Sequence, residues 1–169
     1  MNDIKQLPEQ PIDLYVELFN VLENTKFAKK AGCSNRRGFP EQHLALTFGL
    51  VWKRFKHNSG ISVHTKQYPE AWRLIKEIGD STGWSFSSVH VNKNVLCPPH
   101  KDSKNAGRTL LVAFGDYTGG ESMVEEMAYD IDLKPVIFDG SQLVHWTAPF
   151  EGTRYSLVFY HHSKCIQKL

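Results

Sequence analysis

Residues 136–160 read VIFDGSQLVHWTAPFEGTRYSLVFY. Apolar runs alternate here with turn residues. Val136–Phe138 and Gln142–Trp146 flank Asp139-Gly140, and Tyr155–Tyr160 follows Pro149 and Gly152. β-branched and aromatic residues suit a pleated, half-buried strand, and an Asp-Gly pair between two such runs is a hairpin signal. The same texture extends back to residue 84. Ser85–Val91, Thr109–Phe114 and Ser122–Val124 are further short runs, divided by Pro98-Pro99 and by Tyr117-Thr118-Gly119-Gly120. Short strands with Gly and Pro between them predict a sandwich or barrel.

Upstream the period changes. Leu14, Leu18, Val21 and Leu22 fall at i, i+4, i+7 and i+8, which predicts a helix over 12–31 with Pro11 near its first turn and Gly32 as its stop. A second helix is expected over Pro69–Ile78, with Ala71, Trp72, Ile75 and Ile78 on one face. Residues 33–40 read as a loop, and residues 43–56 fit helix and strand equally. The whole is an α+β chain. Its 169 residues make one domain, 1–169, with a helical and basic part over 1–83 and a β core over 84–162.

No apolar run approaches the ~18 residues of a membrane-spanning helix. The opening MNDIKQLPEQ is polar and does not read as a secretory signal. Cys33, Cys97 and Cys165 lie far apart without a CxxC pair. That pattern excludes a disulfide framework and a cysteine zinc site. It reads as reduced thiols in a cytoplasmic or nuclear compartment. Charge is uneven. Residues 1–110 hold 16 Lys and Arg against 10 Asp and Glu, whereas residues 111–169 hold 4 against 8. A basic half permits a polyanionic partner.

His100 and Asp102 are two apart, so on a strand they share a face and can reach one metal. His145 lies in the apolar run Leu143-Val144-His145-Trp146. Nine residues later Arg154 enters another apolar run, where a guanidinium is costly unless an anion meets it. Ser156 points to the same face as Arg154, and an Arg fork beside a hydroxyl suits a carboxylate. Two histidines and one carboxylate with open positions form the facial triad of non-haem Fe(II) oxygenases.

The order of these parts resembles the Fe(II)/2-oxoglutarate-dependent oxygenase superfamily. The matching pieces are His100-Lys101-Asp102, Arg108-Thr109-Leu110-Leu111-Val112, Gly119-Gly120-Glu121, Phe138-Asp139-Gly140, His145 and Gly152-Thr153-Arg154-Tyr155-Ser156, over residues 88–160. The resemblance implies a double-stranded β-helix, a cupin-like jelly-roll core with the N-terminal helices packed on it. It implies that His100, Asp102 and His145 bind Fe(II). It implies that Arg154, with Ser156, takes the distal carboxylate of 2-oxoglutarate, and that O2 is the oxidant in a C–H hydroxylation. Asn92, before the HxD segment, is the expected further contact to the co-substrate; Asn94 is the neighbouring alternative.

For the substrate, Trp52 and Phe55 alternate with Lys53, Arg54 and Lys56, and aromatics stack on bases while cations hold phosphates. The run from His145 to Tyr160 is similar to that of the TET/JBP-like branch. This implies a nucleic-acid partner and oxidation of a methyl group on a base, a DNA modification. Two other readings stand beside it: a protein hydroxylase of the prolyl type, and a non-catalytic cupin-type module holding a metal or ligand. Nothing in the sequence fixes an oligomeric state.

Overall fold

The structure is a computed structural model, and residues 3–27 and 44–166 of the chain are described. The loop expected at 33–40, Cys33, and the cations Lys29, Lys30, Arg36 and Arg37 lie outside the described residues. Two antiparallel sheets face each other. The larger takes strands from the whole chain. These are β1 (Lys5–Gln6), β2 (Leu44–Lys53), β3 (Asn58–Ile61), β4 (Ser88–Lys93), β5 (Thr109–Gly119), β8 (Val136–Phe138) and β10 (Phe150–Tyr160), in the order β1-β8-β5-β10-β4-β2-β3. The smaller sheet is β7-β6-β9, from β6 (Ser122–Val124), β7 (Met127–Tyr129) and β9 (His145–Thr147). The helices are α1 (Asp13–Glu23), α2 (Val63–Gln67), α3 (Pro69–Ser81) and α4 (Ser163–Ile166).

The large sheet is covered on both faces at its centre, so the polar residues that alternate with apolar ones on β4 and β10 (Ser88, Asn92, Arg154 and Ser156) are themselves buried. On β10, Tyr155, Leu157 and Phe159 face outward into a core with Leu18, Leu22, Leu74, Ile75 and Ile78 of α1 and α3. Arg154 and Ser156 alternate with them and point inward. The inward face meets the small sheet over Ala113, Val124, Ile131, Val136, Phe138 and Leu143. This is the expected α+β jelly roll: a barrel of two sheets with helices against one of them.

Three expectations shift. Residues 44–53 form β2, and β2 pairs with β4 from Leu44↔Lys93 to Gly49↔Ser88, so strands as well as helices come from residues before 84. Helix α1 stops at Glu23 rather than continuing: Asn24 Nδ2 donates to Asn20 O and Thr25 Oγ1 to Val21 O, taking the carbonyls that a further turn would use. Its expected last residues, 28–31, lie outside the described residues. The Asp139-Gly140 pair does not close a hairpin, because β8 pairs with β1 and β5 while β9 pairs with β6. Gly140 does not take the positive φ that a type I′ turn requires. Instead the Asp139 carboxylate accepts from Ser141 N and Ser141 Oγ, and the turn carries the chain from one sheet to the other.

Candidate metal centre

The crossing at Asp139-Gly140 places His145 beside His100. The two residues are a cross-strand pair that exchanges both backbone hydrogen bonds, each at 3.0 Å. Asp102 is held from the other side, its N–H donating to Gly140 O at 2.7 Å. The three side chains converge. Asp102 Oδ2 lies 3.4 Å from His145 Nε2, Asp102 Oδ1 lies 3.7 Å from His100 Nε2, and one ligand atom from each sits within 4.8 Å of the others.

The orientation of the rings bears on the chemistry. His100 Nδ1 meets Pro98 O at 2.6 Å, and His145 Nδ1 meets Leu143 O at 3.0 Å. A carbonyl oxygen can only accept, so each Nδ1 is the protonated donor. Each Nε2 faces Asp102 and is the lone-pair nitrogen of the neutral ring, which is how outer hydrogen bonds prepare imidazoles to hold a metal. Phe138 packs edge-on to His145 with centroids 5.0 Å apart. Gly140 leaves the remaining room: a Cβ there would come within 3.3 Å of His145 Cε1 and 3.6 Å of Asp102 Oδ2.

Arg154 lies on the inward face of β10 and is 3% exposed. Its Nη2 donates to Gly120 O at 3.0 Å, its guanidinium stands over the rings of Tyr117 and Phe150, and its Nε has no hydrogen-bond partner. Among the described residues no carboxylate lies within ion-pair distance of it. Burial holds its pKa below the ordinary arginine value. A desolvated cation with an unmet donor suits an anionic partner. Ser156 and Asn92 are register partners on β10 and β4, and Asn92 Nδ2 donates to Ser156 Oγ at 3.3 Å, which leaves the serine proton to donate elsewhere. Asn94 has a different task. Its Oδ1 accepts from Arg154 N and its N–H donates to Arg154 O, which pins the arginine's backbone. The Cys97 carbonyl accepts from Thr147 N, two residues past His145.

The structure thus brings His100, Asp102 and His145 together, and sets Asn92, Ser156 and Arg154 side by side on one face. Gly120 was read from sequence only as part of a turn. It does more: a Cβ there would sit 2.8 Å from Arg154 Nε, so its missing side chain is the space that the guanidinium occupies. Arg108 is structural, donating to Asp3 O.

No protein-family model matches the sequence, and no curated protein matches it significantly. Solved structures do match. NgTET1 in complex with 5mC DNA superimposes with a TM-score of 0.66 at 14% identity, over 95% of this chain and 72% of that one. A 2OG-Fe(II) oxygenase family member from Burkholderia pseudomallei gives 0.58 at 12%, over 93% and 82%. The chain has the fold of the 2OG-Fe(II) oxygenases. A Pseudomonas putida prolyl-4-hydroxylase shares that fold with a TM-score of 0.57 at 13% identity, over 96% of this chain and 94% of that one. The oxygenase fold therefore joins proteins of different named substrates, and the fold by itself does not choose among them. No helix among the described residues is long and apolar enough to cross a membrane.

Proposed function

We propose that this chain is an Fe(II)- and 2-oxoglutarate-dependent dioxygenase that hydroxylates a C–H bond, and that the bond belongs to a methyl group on a nucleic-acid base. The observation that carries the enzyme class is Arg154, buried with an unmet Nε and with no carboxylate at ion-pair distance among the described residues, in the same barrel as two histidines whose Nε2 atoms face one carboxylate. A metal-binding module would need the second feature and not the first.

His100, Asp102 and His145 would hold Fe(II), a donor set suited to that ion and leaving positions open. Fe(II) with 2-oxoglutarate and O2 would supply the oxidising power, the keto acid leaving as succinate and CO2. The chain's own part is placement. Pro98 and Leu143 carbonyls fix the tautomer of each histidine. Arg154 and the Ser156 hydroxyl would bind the distal carboxylate of 2-oxoglutarate. Asn92 orients Ser156 from the next strand. Tyr117, Phe150 and Phe138 exclude water around the two polar groups. The nucleic-acid reading rests on the basic, aromatic segment around residues 52–56 and on the likeness in fold to a protein solved with 5mC DNA.

The test of the class needs no substrate. Anaerobic titration of 2-oxoglutarate into Fe(II)-loaded protein should develop a saturable visible charge-transfer band, lost in His145→Ala. Folded, iron-bound protein that gives no band would mean that the site does not take a keto acid, and the binding-module reading would replace this one.

A further inference from the structure

Between β2 and β3 the chain turns through a single 3-10 turn, Arg54–Lys56, with His57 in the left-handed region at φ 46°. The turn carries Phe55 at its tip, and Phe55 is 98% exposed. Water-facing apolar residues are common singly, but a phenyl ring with almost its whole surface in solvent is a sizeable apolar cost. Its neighbours are all cationic. Lys53, Arg54 and Lys56 are exposed, and among the described residues no side chain pairs with theirs in an ion pair or a hydrogen bond. Gly60, across the hairpin, leaves the space in which the Lys53 side chain lies. On the flank, Lys164 of α4 stands 5.5 Å over the Trp52 ring. Residues 44–69 hold Lys53, Arg54, Lys56 and Lys66 and no Asp or Glu.

We propose that this hairpin tip is a contact for single-stranded nucleic acid, with Phe55 stacked on an unpaired base and Lys53, Arg54 and Lys56 on the flanking phosphates. This rests on the nucleic-acid reading above and deepens it. Unneutralised cations around one exposed aromatic match a polyanion that also presents flat apolar faces. A single strand offers those faces, whereas in a duplex they are stacked away. The β2–β3 pairing from Leu50↔Ile61 to Lys53↔Asn58 holds the backbone on either side of the tip, so that binding has chiefly side chains to order there.

The experiment is fluorescence anisotropy of a labelled oligothymidine with the full chain, over a salt series. Phe55→Ala should weaken binding roughly 5- to 150-fold and leave the salt dependence unchanged. The triple variant Lys53→Ala, Arg54→Ala, Lys56→Ala should flatten the slope of log K against log salt by about 2, at ~0.7 per phosphate contact. All four positions are exposed, and thermal melts of the variants should match wild type. If wild type binds and both variants bind equally well, the hairpin proposal falls and the nucleic-acid reading stands. If wild type binds a duplex of the same length but not the oligothymidine, the hairpin proposal falls and the nucleic-acid reading stands; if it binds neither, both fall. If Phe55→Ala weakens binding to anionic lipid vesicles but not to the oligonucleotide, the tip is a membrane contact and the proposal is overturned.

Discussion

A guanidinium inside a barrel is tolerated only when something meets it, and Arg154 is met incompletely. One carbonyl and two aromatic faces serve its Nη2 and its plane, while Nε is left over. An arginine retained for a ligand can be told from one retained for the fold. Arg154→Met keeps most of the volume and removes the desolvated charge, which in buried positions is often neutral or stabilising. The ligand-free melting temperature should hold or rise, while 2-oxoglutarate binding is lost. A steep fall in melting temperature would make Arg154 a structural residue. Arg154→Ala should weaken 2-oxoglutarate by about 2–5 kcal/mol, the usual effect of removing one member of a buried charge pair, measured by titration of the metal-loaded protein. Gly120→Ala is a second route to the same defect. Its Cβ would press on Arg154 Nε, and its φ of 76° is one that side chains resist. It should cost about 1–2 kcal/mol in stability and also loosen the keto acid. The sequence showed Arg154 and Ser156 because an Arg in an apolar run is conspicuous. Gly120 was invisible as a site residue, because what it contributes is empty space 34 residues away.

Helix α1 is held to the sheet by apolar burial and by one polar clasp. Its last residue, Glu23, accepts from Lys93 Nζ and from the Tyr155 hydroxyl, and Lys93 and Tyr155 are themselves register partners on β4 and β10. A carboxylate at a helix C-terminus opposes the helix dipole, so the lysine offsets an unfavourable position. The Lys93 bond, then that of Tyr155, holds Glu23 below the ordinary glutamate range. A depressed carboxylate contributes stability above its unfolded pKa and loses it as pH falls through its folded value. The melting-temperature gap between wild type and Glu23→Gln should therefore be present at pH 7 and close below about pH 4. Its side chain is 40% exposed, so the gap is small, about 0–1 kcal/mol. A gap that stayed constant into acid would show that the clasp is not ionic. The elements themselves were legible where local rules acted alone. Pro69 starts α3, and Ser122–Val124 and Val136–Phe138 match their strands. They were illegible where partners decide. Residues 44–53 carry no period because β2 is buried on both faces over Ala45–Gly49 and only half-buried over Leu50–Trp52, and the Asp139 side chain overrode the Asp-Gly hairpin rule.

Across the whole molecule, the candidate centre is where the two sheets are tied. His145 belongs to the small sheet, His100 extends that sheet by one pairing, and Asp102 is bonded to Gly140, just past β8 of the large one. The residue types and their order were readable as a motif. Their convergence was not, because 43 residues separate Asp102 from His145 and no local rule brings them together. That placement has a global consequence. A metal held by all three side chains would link both sheets, and the unfolded chain does not hold His145 near His100 and Asp102. Binding should then stabilise the whole fold by mass action: about 2.7 kcal/mol at a hundredfold excess over Kd. At about 2–4 °C per kcal/mol for a chain of this size, that is a rise of roughly 5–10 °C. Thermal unfolding with Mn(II), alone and with 2-oxoglutarate, measures it. The keto acid should add to the metal's shift in wild type and not in Arg154→Met, while Asp102→Ala should lose both shifts. A melting temperature indifferent to Mn(II) in wild type would mean that the three side chains, though gathered, do not form a metal site.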